Sequence, residues 1–335
     1  MTAMTRLIRS LALCGLALSA ACTPLSGTRP GTGALTPPAL ITIQDRELPS
    51  RLTFIAYGDM RFTPTTETRA SWPAVRQALV ARVAAEKPAA LLLSGDLPFH
   101  GGSEQDYAVF AQETRAWRDQ GLRVYPALGN HEFSQCPEAQ CLENWWTAFP
   151  ALRGHRWYSV ALGSQILCIA LDSDTSLEPG TRQREWLEQQ VSSLPRSVRY
   201  VLVSLHHPPV ADLASGKLAD HNPRPNEIAL ASYLSSVSGV SRARFVVVAG
   251  HTHNYERLEK DGVVYLVSGG GGAAPYPVER SPQDLYQGKD EINFHYIRFT
   301  LGTDRLSAEM VRVADPEAAA PTQFVVSDRF EVRAR

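Results

Sequence analysis

The chain has no long hydrophobic run. Its one apolar stretch near the N-terminus, Leu11 to Ala21, is shorter than the ~20 residues a membrane-spanning helix needs. Charge of one sign is also missing: 33 Lys and Arg against 34 Asp and Glu give a net charge of −1, with no basic block. That balance argues against a nucleic-acid partner. No repeat of fixed period is visible, which excludes a solenoid or propeller. The glycine run Gly269–Gly272 lacks the lysine of a nucleotide-binding P-loop and reads as close backbone packing. Only one close cysteine pair exists, Cys136 and Cys141, and no second pair supports a structural zinc site. What is present is the composition of a globular protein: 335 residues, 44% hydrophobic and 20% charged, enough for one large core or two modest domains. The 23 glycines and 23 prolines point to many loops.

The N-terminus reads as a targeting segment. Arg6 and Arg9 precede the apolar stretch, which ends in Leu18-Ser19-Ala20-Ala21-Cys22, so residues 1–21 have the build of a secretory signal. Leu-Ser-Ala-Ala-Cys resembles the lipobox of bacterial lipoproteins, with the leucine one place further from the cysteine than usual. The resemblance implies a lipid anchor at Cys22; ordinary cleavage after Ala21 is the alternative. Both readings put the protein outside the cytoplasm, in the periplasm or on the outer membrane. Residues 22–48, rich in Pro, Gly and Thr at their start, are expected to be a flexible tether, and 49–335 the folded domain. In an oxidising compartment Cys136 and Cys141 are expected to pair, and Cys168, within Ile166–Leu171, to be a buried small hydrophobe.

From Leu52 onward strand and helix patterns alternate. Strands are expected over Leu52–Tyr57, Ala89–Leu93, Leu122–Leu128, Val198–Leu205 and Phe245–Ala249, with a pair at Trp157–Ala161 and Ile166–Leu171. Helices are expected over Trp72–Glu86, from Ser103 to about Gln120, from Thr181 through Val191, and over Ile228–Val237. Val263–Val267 is a further strand, Phe294–Val313 a hairpin, and the remainder an edge strand. Five buried-type strands thus end in a polar loop: Gly58-Asp59, Gly95-Asp96, Gly129-Asn130-His131-Glu132, His206-His207-Pro208 and Gly250-His251-Thr252-His253. In α/β sheets ligands gather beyond the carboxyl ends of the strands, where all five of these loops lie. In an extended backbone His251 and His253 point opposite ways, so two ions side by side suit them better than one.

Asp59, Asp96, Asn130, His206, His251 and His253 offer only oxygen and nitrogen donors. That mixture suits Fe, Mn, Zn or Co; it is too rich in histidine for Mg or Ca. A carboxylate can bridge two such ions, and ion pairs of this kind hydrolyse phosphate esters. In their order and wording these motifs resemble the calcineurin-like metallophosphoesterases. Gly-Asn-His-Glu and Gly-His-Thr-His-Asn-Tyr-Glu-Arg look most like the purple acid phosphatase branch. The resemblance covers Leu52 to about Gly272. It implies an α/β fold, a four-layer αββα sandwich of two mixed sheets with a two-ion site at the strand C-terminal ends, and a small phosphate ester as substrate. Carried over by position, it implies that Asp96 bridges both ions, that Asp59 and His253 hold the first, and that Asn130, His206 and His251 hold the second. His206 is preferred over His207, which becomes a packing residue, and His131 is expected to face substrate.

Two departures bear on the first ion. The family's Asp-x-His at the first motif is Asp59-Met60-Arg61 here, and arginine has no lone pair to give a metal. The purple branch's tyrosine, three residues after the second-motif aspartate, is Phe99. Arg61 is instead expected to bind substrate phosphate with its planar fork, or else to form a structural salt bridge. His100, adjacent to the vacant tyrosine place, is either a substitute ligand or, preferably, a surface histidine; His155, His221 and His295 are expected at the surface or in loops. The loop 210–226, with Lys217, His221 and Arg224, is expected either to cover the pocket or to be a solvated loop.

Overall fold

The computed structural model describes residues 40–212, 221–277, 279–289 and 292–335. The targeting segment, Cys22, most of the expected tether and Lys217 lie outside the described residues. In chain order the strands are β1 (Leu40–Ile43), β2 (Thr53–Tyr57), β3 (Leu91–Leu93), β4 (Val124–Pro126), β5 (Tyr158–Leu162), β6 (Ile166–Ala170) and β7 (Tyr200–Leu205). They continue with β8 (Arg244–Ala249), β9 (Tyr255–Lys260), β10 (Val263–Ser268), β11 (His295–Leu301), β12 (Arg305–Val313) and β13 (Phe324–Arg333). The helices are α1 (Pro73–Glu86), α2 (Glu104–Glu113), α3 (Arg115–Asp119), α4 (Glu138–Ala148), α5 (Arg182–Ser192) and α6 (Pro225–Ser238).

Two mixed sheets result: seven strands in the order β1-β5-β6-β7-β8-β10-β9 and six in the order β13-β12-β11-β2-β3-β4. The central strands β6, β7, β8 and β10 run parallel, as do β2, β3 and β4; β11–β13 and the edge β9 are antiparallel. The period-two alternation of a strand decides which side chain enters which layer. Cys168, Leu202, Val246, Val248 and Leu266 point into the core shared with Phe54, Ala56 and Phe299 of the other sheet. Their neighbours Leu167, Ile169, Val201, Val203, Val247 and Tyr265 point the opposite way and pack on Trp186 and Leu187 of α5 and Leu230 and Leu234 of α6. Val75, Leu79 and Val83 of α1 and Trp117 of α3 belong to the first core, and they complete the αββα arrangement. Because these strands are buried on both faces, they read in sequence as unbroken apolar runs.

The fold corrects four expectations. The tether does not extend to residue 48, because Leu40–Ile43 pairs in parallel with β5. The helix expected from Ser103 to Gln120 breaks at Thr114, whose hydroxyl donates to the Phe110 carbonyl (2.6 Å) while its backbone leaves helical geometry at ψ 13°. α6 starts earlier than expected, at Pro225, where the missing N–H of a first-turn proline costs nothing. β9 follows directly on the Gly250–His253 loop, where no strand is expected, because its outer residues Glu259 and Lys260 are exposed at the sheet edge.

Candidate metal centre

Each of the five loops leaves the C-terminal end of one of the parallel strands, and the two sheets bring those ends together. Asp59 follows β2, Asp96 follows β3, and Asn130 and His131 open a short 3-10 turn (Asn130–Phe133) after β4. His206 follows β7, and His251 and His253 follow β8. Four of the residues around the centre sit in the left-handed backbone region without being glycine: Asp59 (φ 61°), Arg61 (φ 46°), Asp96 (φ 55°) and His251 (φ 69°). Such strain persists only where the surroundings over-determine it, and it concentrates at functional sites. Here the holding bonds are Asp59 N–H to the Gly95 carbonyl (3.0 Å), Arg61 N–H to the Asp96 carbonyl (3.0 Å) and Ala273 N–H to the Asp59 carbonyl (2.8 Å). The Glu132 carboxylate accepts the N–H groups of Asp96 (3.0 Å), Leu97 (2.9 Å) and Gly129 (2.8 Å), which fixes two ligand loops with one side chain. Gly95, at φ +88°, lets the Gly129 backbone approach to where any Cβ would collide at 2.8 Å.

The side chains fall into two groups that share Asp96. In the second group His206 Nε2 lies 3.0 Å from Asn130 Oδ1 and 3.2 Å from Asp96 Oδ1. His251 Nδ1 lies 3.2 Å from Asn130 Oδ1 and 3.3 Å from His206 Nε2. In the first group His253 Nε2 is 3.5 Å from Asp59 Oδ1, and the ligand-capable atoms of Asp59, Asp96 and His253 all lie within 4.8 Å of one another. The imidazoles are aimed by their far nitrogens: His206 Nδ1 is 2.9 Å from the Ser94 carbonyl, and His253 Nδ1 is 2.7 Å from the Ala274 carbonyl. A carbonyl only accepts, so both Nδ1 atoms carry the proton and both Nε2 lone pairs face inward.

The electrostatics leave this set short of positive charge. Asp59 and Asp96 are both fully buried. Burial and the neighbouring Asp96 carboxylate push Asp59 well above the usual carboxylate range. Burial also works against the Asp96 anion, but His206, His131 and Arg61 outweigh it and hold Asp96 below the usual range. Burial drives His206, His251 and His253 down, which keeps them as neutral imidazoles, the form that ligates metal. His253 Nε2 is buried with no hydrogen-bond partner. An orphaned inward lone pair beside two buried carboxylates, and four acceptor-type atoms packed at 3.0–3.3 Å, are what a pair of cations would satisfy. The residues fit a two-ion centre.

Arg61 and His131 line the same centre. An Arg61 Nη atom reaches Asp96 Oδ2 at 3.3 Å, while its Nε is buried without a partner. His131 turns its Nδ1 to the Phe99 carbonyl (2.5 Å), leaving Nε2 3.9 Å from Asp96 Oδ2. Phe99 stacks on the His131 ring at 5.4 Å, so the residue in the purple branch's tyrosine place positions His131. His207 falls with His206 and His251 in the second group of ligand-capable residues, so the geometry leaves it a candidate ligand; its Nδ1 is 2.8 Å from Ser173 Oγ, and its ring packs 4.3 Å from that of His251.

Sequence reasoning misplaced one histidine and missed one aromatic, while His221 follows the expectation that its loop covers the pocket. His295 is buried beneath the glycine run, with Nδ1 2.7 Å from the Asn293 carbonyl and Nε2 3.0 Å from Ser268 Oγ. His221 packs over the centre, its ring 4.6 Å from His251 and 4.8 Å from Tyr276. Tyr276 stacks on His253 at 4.2 Å and 13°. Its one sequence signal is Pro275-Tyr276-Pro277, a rigid presentation of an aromatic after the glycine run. His100 stands 3.2 Å from Ser134 Oγ and is in neither group of ligand-capable residues.

The model for the calcineurin-like phosphoesterase family matches residues 52–255. Among solved structures, a purple acid phosphatase, PPD1, from yellow lupin (Lupinus luteus) seeds superposes with a TM-score of 0.63 at 17% identity, over 85% of this chain and 54% of that one. The chain thus spans about half the length of the lupin enzyme. A dimetal phosphatase from Danio rerio gives a TM-score of 0.58 at 14% identity, over 85% of this chain and 99% of that one. GAP50, described as the anchor in the inner membrane complex of Plasmodium, gives 0.57 at 12% identity, over 85% and 89%. At these identities the superpositions speak to the fold alone. No curated protein matches in sequence.

Proposed function

The chain belongs to the calcineurin-like phosphoesterase family, and on that premise we propose that it is an exported phosphomonoesterase working with two transition-metal ions. The observation that carries the reading is the pair of ligand groups joined at Asp96. Asp59, Asp96 and His253 would hold the first ion; Asp96, Asn130, His206 and His251 would hold the second. Bound there, divalent or trivalent Fe, Mn, Zn or Co supplies Lewis acidity, which lowers the pKa of water and offsets charge on the phosphoryl oxygens.

The chain's own groups do the rest. Asp96 spans the two groups and keeps their positions tied. Arg61, with its fork turned into the centre and one nitrogen unpartnered, grips terminal phosphoryl oxygens. His131, its Nδ1 proton committed to the Phe99 carbonyl, presents Nε2 to the departing ester oxygen; because burial lowers its pKa, it would supply a proton there only from its imidazolium form, which is populated at acid pH. Monoesters are preferred over diesters because Arg61 adds a dedicated cation for a dianionic head group.

Export is supported by the basic-then-apolar N-terminus and by the Cys136–Cys141 disulfide, which suits an oxidising compartment. Lipidation at Cys22 is part of the same reading, and mass analysis of the mature N-terminus tests it. The rival is a binding protein that kept the fold without the reaction, and Arg61 in a ligand's place is the observation in its favour. Hydrolysis of p-nitrophenyl phosphate and its bis ester, with Mn, Fe, Zn and Co in turn, separates these readings. The proposal expects faster cleavage of the monoester; no cleavage of either with any of the metals refutes the enzyme, and faster cleavage of the bis ester makes it a diesterase.

A further inference from the structure

The first ligand group is poor in donors that could meet a substrate. Asp59 and Asp96 only accept when ionised, His253 Nδ1 is committed to Ala274, and the Arg61 fork is shared with Asp96. A phosphate ester brought there presents only acceptor oxygens at neutral pH and needs donors. Tyr276 is the side chain in position to supply one. His253 itself is 1% exposed, whereas Tyr276, covering its ring face, is half-buried, so the surface that an arriving ligand meets is the tyrosine.

The placement is built, not incidental. Tyr276 N–H donates to the His253 carbonyl (3.2 Å), and the Tyr276 carbonyl accepts from Asn254 Nδ2 (2.7 Å). Ala274 takes the His253 Nδ1 proton, and Ala273 N–H holds the Asp59 carbonyl (2.8 Å). The segment is therefore strapped to both loops of the first group. Pro275 and Pro277 restrict the backbone on either side, and the 13° stack on His253 fixes the ring plane. With the ring so fixed, the hydroxyl lies close enough to the Arg61 guanidinium to feel its charge.

We infer that Tyr276 is a substrate-binding, specificity-determining residue of this centre, its phenol hydroxyl donating to a terminal phosphoryl oxygen alongside Arg61. The inference rests on the phosphoesterase reading above and deepens it. A monoester offers three terminal oxygens and a diester two. Each added donor therefore favours the monoester once the other contacts are made. The stack on His253 gives the ring a separate structural duty, which the hydroxyl does not share.

Tyr276→Phe keeps the stack and removes the donor. The expected result in the metal-loaded protein is a roughly tenfold weaker binding of inorganic phosphate by calorimetry, the worth of about one hydrogen bond to a charged group. A matching rise in KM for p-nitrophenyl phosphate, little change for the bis ester and unchanged metal content should accompany it. Phosphate affinity and monoester preference both equal to wild type would overturn the inference, and so would a loss of metal from the phenylalanine variant. Arg61→Met, measured in parallel, keeps the two claims apart. If Arg61→Met weakens phosphate and Tyr276→Phe does not, only the tyrosine assignment falls; if neither does, the phosphate grip itself is wrong.

Discussion

The two halves of the metal centre are unequal. The second group has three residues of its own besides Asp96, their donor atoms 3.0–3.3 Å apart, and is backed by the Glu132 hydrogen bonds and the Ser94 carbonyl. The first group has two of its own, an orphaned His253 nitrogen, and an arginine beside the shared carboxylate. Both are built on strand ends of the same kind, so architecture does not make the difference. Two departures do: Phe99 has no phenol oxygen to give, and Arg61 brings a permanent cation where a ligand would bring a lone pair, 3.3 Å from Asp96, where it competes electrostatically with an incoming ion. On the proposed reading, the same arginine adds a phosphate grip and weakens the hold on metal.

Breaking the shared residue should have the largest effect. Asp96→Asn removes the charge common to both groups, and we expect at least about a thousandfold loss in kcat together with loss of metal, read by elemental analysis. Retained turnover would remove the two-group description. His253→Ala breaks only the poorer half. It should lower turnover about a hundredfold and leave one ion per chain; two retained ions would place His253 outside the centre. Arg61→His attacks the inequality itself. It should tighten the weaker ion about tenfold, ~1.4 kcal/mol, while weakening phosphate, measured by calorimetry on the same sample.

A smaller effect concerns β9, the strand that follows His253. Glu256 is almost wholly buried, accepts the Asp212 N–H at 2.7 Å, and is pushed up by burial to about 8. A folded-state pKa above the unfolded one means that the folded state binds more protons, so this contribution to stability is full below about pH 4.5 and lost as pH rises toward 8. In the metal-stripped domain thermal melts should move down across that window by the equivalent of a few kcal/mol at most, and Glu256→Gln should flatten the slope. An unchanged slope in the variant would assign the pH dependence elsewhere.

The sequence carried most of the sheet architecture and the shared side of the centre, for a physical reason. Strands buried on both faces are apolar throughout, so Val246-Val247-Val248 or Leu91-Leu92-Leu93 announces itself, and the polar loop that follows marks the strand's functional end. What stayed hidden depends on contacts between distant segments. Tyr276 carries no motif; it reaches the centre because the chain folds back over His253. β9 is an edge strand whose last two residues, Glu259 and Lys260, are exposed, and so lacks the apolar run that marks the interior ones. Thr114 shows the limit of periodicity: Tyr107, Phe110 and Trp117 keep helical spacing across a break made by one hydroxyl.

The inequality of the two halves is tested most directly by titrating the metal-stripped domain with Mn or Zn in a calorimeter. The account predicts two ions per chain entering in separate steps, the weaker step disappearing in His253→Ala and tightening in Arg61→His. A single ion per chain, or two ions of equal affinity that Arg61→His leaves unchanged, would contradict it.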